Sequence, residues 1–114
     1  MHELGIVFYV VEQIEKVANE NQAKKVVGAT LELGEVSGVV YDYFMDLWNW
    51  TIQKHELLKD CQLELITLKA ITYCENCGKT YDTVLHGRIC PHCKSDKTYL
   101  LTGNEINLKN IKIT

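Results

Sequence analysis

The sequence predicts an α+β fold in which a small three-stranded sheet carries two helices and a zinc-ribbon-like lobe is inserted before the last strand. Three observations predict it. Apolar residues recur three or four apart in two segments, they alternate or run together in three others, and two Cys-x-x-Cys pairs fall between the second and third strand patterns. The implied division is residues 1–72 and 100–114 for a helix–sheet domain and residues 73–99 for the lobe. A chain of 114 residues has room for one ordinary domain, or for a small domain with a metal-stapled lobe, and the cysteine spacing favours the second.

The first helix pattern runs from Leu4 to about Ala18, with Leu4, Val7, Phe8, Val11, Ile14 and Ala18 as the apolar face and Glu12, Gln13, Glu15, Lys16 and Asn19 largely opposite. Asn19-Glu20-Asn21 is a polar cluster suited to a C-terminal turn. Val27, Ala29, Leu31 and Leu33 then alternate with Gly28, Thr30 and Glu32, the pattern of a strand with one buried face, closed by Gly34 and Ser37-Gly38. The second helix pattern spans about Val39 to Gln53, with Val40, Phe44, Leu47, Trp48 and Ile52 on one face. Tyr41, Tyr43 and Trp50 exceed what one core-facing stripe requires, and two readings stand side by side: a partner-facing surface, or rings that cover the adjoining sheet. A second strand is expected from Cys61 to Thr72 without clean alternation, and a last one from Glu105 to Ile113 with a bulge near Lys109-Asn110.

Ahead of the first helix stands Met1-His2-Glu3. A histidine in second place makes a free terminus into a chelator: the amine, the deprotonated backbone nitrogen of His2 and its imidazole reach one ion through small fused rings. Glu3 adds a second amide nitrogen or a carboxylate. Nitrogens nearly in one plane suit Ni(II) or Cu(II) rather than tetrahedral Zn(II). Alone, the motif is weak, because many chains begin Met-His by chance or as a tag remnant.

Within 73–99, Cys74-Glu75-Asn76-Cys77-Gly78 and Cys90-Pro91-His92-Cys93 hold two cysteine pairs with twelve residues between them. Each pair can form a tight turn that points two thiolates at one ion, and four sulfurs close a tetrahedron around Zn(2+). Gly78 suits the positive backbone torsion of such turns, and Pro91 stiffens the second. A lobe this small cannot bury enough apolar surface to fold alone, so a structural zinc replaces a core. A rubredoxin-type iron centre would use the same ligands, a thioredoxin-like redox site fits two matched pairs poorly, and a nucleic-acid zinc ribbon is the serious rival. Cys61 lies outside the tetrad and reads as a small buried hydrophobe. His86 and His92 read as exposed turn residues that could compete for the ion, and His55 as a surface or helix-end residue.

A formal charge of -3 and a pI near 5.8 lack the basic excess that phosphate binding needs, which argues against nucleic acid as a partner. With 46% hydrophobic and 24% charged residues the composition is that of a soluble globular protein. No apolar run approaches membrane-spanning length and no signal peptide is read, so no membrane association and a cytoplasmic location are expected. No nucleophile–base pair, phosphate-cradling loop or paired acid–base carboxylates appear in the sequence, so no enzymatic activity is expected.

With both metal features in view, the chain resembles the HypA/HybF family of hydrogenase maturation proteins, nickel metallochaperones for NiFe-hydrogenase assembly. The resemblance rests on Met1-His2-Glu3-Leu4 opening an amphipathic helix, on the run from Leu31-Glu32-Leu33-Gly34-Glu35-Val36 to Ser37-Gly38-Val39, and on the two Cys-x-x-Cys pairs ahead of a final strand. It implies transported Ni(2+) on His2, with Met1 and Glu3 beside it, and structural Zn(2+) on Cys74, Cys77, Cys90 and Cys93. It also implies work with a nickel-handling maturation GTPase of the HypB type and with the hydrogenase large subunit; some members serve urease and its accessory proteins as well. Gly5 departs from the serine of many members, at a position of little consequence for chelation. The reading from another class is a zinc-ribbon adaptor for nucleic acid or protein, in which His2 is incidental.

Overall fold

The computed structural model describes residues 3–114, so Met1 and His2 of the expected nickel site lie outside the described residues. The chain divides into two compact units: Met1–Glu32, Val39–Ile66 and Asn107–Thr114 form the first, and Leu33–Gly38 with Thr67–Ile106 form the second. The second unit is thus larger than the segment 73–99 and includes a piece of chain from far upstream.

In the first unit, helix α1 (Glu3–Glu20) packs against helix α2 (Tyr41–Ile52). The buried stripe of α1 is Glu3, Val7, Val10, Val11, Ile14 and Ala18, which differs from the expected face. Phe8 is 50% exposed and Leu4 is also exposed. At about 100° per residue Val10 and Glu3 fall on one flank of a stripe centred on Val7 and Ile14, whereas Phe8 swings out to the other side. The helix ends at the anticipated polar cluster, where Ala23 N–H donates to Ala18 O at 2.9 Å and Gln22 takes a φ of 49°. In α2, Phe44, Trp48, Thr51 and Ile52 are buried, while Tyr43 and Trp50 are 53% and 54% exposed. These two rings therefore do not serve as full core residues; the Lys54 ammonium lies 3.9 Å from the Trp50 ring centre. A single 3-10 turn, Glu56–Leu58, follows, and His55 at its head makes a 3.0 Å hydrogen bond with Glu15 of α1. His55 thus ties α1 to this turn.

Strand β1 (Val26–Gly34) is the middle strand of a sheet of order β2-β1-β6, with β2 at Gln62–Leu68 and β6 at Ile106–Ile113. Its burial is almost continuous, including Gly28 and Thr30 in the phase expected to face solvent, whereas Val27, expected on the buried face, is exposed. A strand paired on both edges has neighbours covering both phases, so simple alternation underestimates its burial. In β6 the half-buried positions are Ile106, Leu108 and Ile111, a change of phase between Leu108 and Ile111.

The expected single strand 61–72 is two strands in two sheets. β2 ends at Leu68, and β3 (Ile71–Cys74) belongs to the second unit. The break is Lys69-Ala70, where Ala70 is fully buried, donates its N–H to Glu35 Oε1 at 2.9 Å and accepts from Thr83 N–H at 3.1 Å. The change of sheet explains why the apolar residues of this stretch keep no single phase.

The second sheet, of order β4-β3-β5, was not anticipated. β4 (Thr80–Asp82) and β5 (Thr98–Thr102) flank β3 antiparallel, with Thr72 opposite Tyr81 on one side and Tyr73 opposite Tyr99 on the other. The Tyr73 and Tyr99 rings stack at 5.4 Å. Helix α3 (Thr83–His86) is one turn, capped by Asp82 Oδ1, which accepts from Val84 and Leu85 N–H. Leu33–Gly38 joins this unit through backbone bonds from Gly34 to Glu105, Glu35 to Leu68 and Val36 to Gly103. A side chain on Gly34 would collide with the Gly103 carbonyl, so the close approach requires glycine there.

Candidate metal centre

Each Cys-x-x-Cys segment folds into the same backbone turn. In the first, Cys74 N–H donates to Lys79 O and Gly78 N–H donates to Cys74 O, both at 2.9 Å. In the second, Cys90 N–H donates to Ser95 O and Lys94 N–H to Cys90 O, again at 2.9 Å. Both turns need a residue at positive φ just after the second cysteine: Gly78 at 75° in the first and Lys94 at 66° in the second. Gly78 was legible as such from the sequence; Lys94 was not, because a lysine carries no signal for that conformation.

The two turns bring all four thiols together. The sulfurs of Cys74, Cys77, Cys90 and Cys93 lie within 4.8 Å of one another, with Cys74–Cys93 and Cys77–Cys90 each at 3.6 Å. A tetrahedron with Zn–S bonds of about 2.3 Å places its sulfurs about 3.8 Å apart, so the donor set and spacing fit a structural zinc. Cys74 and Cys90 are fully buried and pack with Tyr81, and Cys77 and Cys93 close the rim.

Donors from outside the tetrad also approach the sulfurs. Asn76 Nδ2 approaches Cys93 Sγ at 3.3 Å, and His92 N–H approaches Cys90 Sγ at 3.4 Å. The Asn76 amide, with help from the backbone at Ser95, brings the Cys93 thiol down to about 6. For Cys77 the backbone at Lys79 pulls downward, but burial and the neighbouring thiols of Cys90, Cys74 and Cys93 outweigh it and push the thiol up to about 11. Four thiols at this spacing cannot all ionise without a cation among them, and a divalent ion removes that obstacle. Asn76 and Tyr81 are the residues that spacing arguments passed over. Tyr81 stands opposite Thr72 in the sheet and donates its hydroxyl to Gly87 O at 2.9 Å, which secures the connection ahead of the second turn.

The remaining candidates separate from this cluster. The His86 ring sits edge-on to Tyr81 at 5.9 Å, and His92 is exposed. Cys61 is buried just before β2, where burial pushes its thiol up to about 11, as suits an inert packing residue. Of the terminal tripeptide, Glu3 alone is described: it opens α1, is buried, and its Oε2 accepts the Val40 N–H at 3.1 Å. Among the described residues no helix is long and apolar enough to cross a membrane.

Against known proteins, residues 1–113 match the family model described as hydrogenase/urease nickel incorporation, metallochaperone, HypA. The hydrogenase maturation factor HypA of Actinobacillus succinogenes is 28% identical over 116 residues, covering 99% of each chain. That of Dehalococcoides mccartyi is 29% identical over 113 residues, covering 99% of this chain and 94% of the relative. Among solved structures, the solution structure of the Ni metallochaperone HypA from Helicobacter pylori aligns with a TM-score of 0.76 at 24% identity, over 99% of this chain and 97% of that one. At that identity the structural match speaks to the fold, which is the same α+β arrangement with a zinc-ribbon-like lobe.

Proposed function

Because the chain belongs to the HypA family of nickel-incorporation metallochaperones acting in hydrogenase maturation, we propose that it binds Ni(II) at its N-terminus, through Met1, His2 and Glu3, and delivers it for assembly of the NiFe-hydrogenase active site. The observation that carries this reading is the family match from residue 1 to residue 113, which takes in the Met-His-Glu opening. Its partners in delivery are the nickel-handling maturation GTPase and the hydrogenase large subunit, with urease maturation as a second outlet, and the work is done in the cytoplasm. The protein is a carrier and not a catalyst.

The chemistry supports a division of labour between two metal sites. The four-cysteine cluster is a closed tetrahedral set, half of it fully buried, and such a site holds its ion permanently. Cys74, Cys77, Cys90 and Cys93 would hold zinc there, and zinc supplies folding free energy to a lobe that has little core of its own. A carrier site must instead be selective and open to exchange. An amine, an imidazole and deprotonated amide nitrogens at a chain end favour tetragonal Ni(II) over tetrahedral Zn(II) and leave coordination positions for an acceptor protein's ligands.

The test is equilibrium nickel binding by the chain with its native N-terminus, by His2→Ala and by a form with a long N-terminal extension, with spectroscopy of the nickel d–d bands reporting geometry. The extension turns the amine into an amide and moves His2 away from second place. Both altered forms are expected to lose the native site, and binding by the native chain is expected to weaken as pH falls, because the imidazole and amine must shed their protons to donate. Unchanged affinity, geometry and hydrogenase maturation in both altered forms would place the site elsewhere, with His86 and His92 the next residues to examine.

A further inference from the structure

We propose that the outer face of helix α2, centred on Tyr43, Asp46 and Trp50, is a docking surface for a protein partner, and that the partner meets it with an arginine.

Position on the helix brings the three residues together. They stand at i, i+3 and i+7, which puts them on one side of α2, with Asp46 between two ring-bearing residues about 10 Å apart along the axis. The opposite side belongs to the core, where Phe44, Trp48, Thr51 and Ile52 are buried. Tyr43 and Trp50 are each more than half exposed, and Asp46 is exposed with them. Tyrosine and tryptophan are the residue types that anchor protein interfaces, and here both stand on one helix face outside the core.

Charge decides what can cover this face. Helix α2 carries Asp42 and Asp46 and no basic residue, and α1 carries Glu3, Glu12, Glu15 and Glu20 against Lys16. Among the described residues neither Asp42 nor Asp46 enters an ion pair. An apolar or acidic surface laid over Asp46 would take its carboxylate out of water with nothing to compensate, so the partner has to bring a cation. The same acidity repels nucleic acid and anionic lipid. The Trp50 ring shows which cation chemistry fits: the Lys54 ammonium lies 3.9 Å from its centre, so the ring face serves as a cation seat. A guanidinium suits that seat better than an ammonium. It is planar, it stacks on an aromatic ring, and it can donate two parallel hydrogen bonds to one carboxylate. Tyr43 offers a second ring on the other side of Asp46.

The test uses the full zinc-loaded chain without nickel and, as probe, a capped tetra-arginine peptide compared with capped tetra-lysine. Binding is followed by heteronuclear NMR, in which the Trp50 indole N–H reports on the outer face and that of Trp48 on the core, and the thermal midpoint of each variant is measured alongside. Tetra-arginine is expected to shift the signals of Tyr43, Asp46 and Trp50 but not of Trp48, to bind about threefold tighter or more than tetra-lysine, and to weaken as salt is raised. Trp50→Leu and Asp46→Asn are each expected to weaken it about fivefold or more while moving the thermal midpoint by no more than about 3 °C. Lys54→Met frees the ring and removes a competing charge, so it is expected to tighten binding. Glu64→Gln, an equal loss of charge on strand β2, is expected to leave affinity within about twofold. Absence of shifts at Tyr43, Asp46 and Trp50, or unchanged affinity in Trp50→Leu, would overturn the proposal. Equal affinity for the two peptides, with Glu64→Gln as harmful as Asp46→Asn, would reduce the face to diffuse charge and overturn it as well. A midpoint lowered by about 5 °C or more in Trp50→Leu would assign the ring to packing. If the chain instead dimerises through this face, and Arg88→Ala, which removes its one arginine, abolishes the dimer, the occupant is a second copy and the partner fails.

Discussion

Removing the zinc is expected to unfold one lobe and leave the rest of the chain standing. Between Cys74 and Cys93 the buried side chains are Cys74, Tyr81 and Cys90. Full burial of one tyrosine-sized apolar side chain contributes about 2–3 kcal/mol, whereas a structural zinc bound by four thiolates contributes on the order of 10 kcal/mol or more. The ion therefore outweighs the segment's own core several-fold. In metal-free protein held reduced, or in Cys90→Ala, the two turns keep only their own backbone bonds and the Tyr81 contact, which are too few to hold them closed. The assay is amide hydrogen exchange resolved by residue, together with helical circular dichroism. The amides of Cys74, Gly78, Cys90 and Lys94, which now bond within the two turns, are expected to lose protection. The buried stripe of α1 and the buried face of α2, which draw on Val7, Ile14, Phe44 and Trp48, are expected to keep theirs, so the helical signal changes little. Two results would refute the reasoning: continued protection of the four turn amides without metal, which would give the lobe a core of its own, or loss of α1 and α2 along with the lobe.

Further outcomes follow from the same geometry. The Cys93 thiol is depressed to about 6, so above that pH it carries no proton for zinc to displace and below it one more proton competes; the fall of apparent zinc affinity with decreasing pH is expected to steepen by about one proton near pH 6. In Asn76→Ala the chief cause of that depression is gone, so the break is expected to move up toward the ordinary thiol range in chelator-competition titrations, and an unmoved break would dismiss the Asn76 contact. Lys94 holds a φ of 66° that costs a non-glycine residue about 1 kcal/mol, so Lys94→Gly is expected to raise the thermal midpoint of the zinc-loaded protein slightly, whereas Gly78→Ala at 75° is expected to lower it.

Much was legible in the residues themselves, and for identifiable reasons. The period of α1 and of α2 follows from local backbone geometry, so both helices appear close to their expected bounds, Glu3–Glu20 and Tyr41–Ile52. The four cysteines declare themselves because two short turns of fixed spacing are enough to converge their sulfurs, and the sulfurs do converge within 4.8 Å. The family resemblance was likewise carried by short ordered motifs. What periodicity could not supply was anything set by distant partners. Whether Phe8 or Val10 of α1 is buried depends on where α2 lies, and the near-complete burial of β1 depends on its being paired by β2 and β6. The run from Cys61 to Thr72 reads as one strand until Ala70, fixed by Glu35 and Thr83, turns the chain from one sheet into another. Glu3 is the sharpest case. Its type and place suggested a metal ligand. That its carboxylate meets the Val40 N–H was decided only when a helix 37 residues away came to start beside it, because a hydrogen bond between distant segments is specified by the packing of whole elements and leaves no local trace in the order of residues.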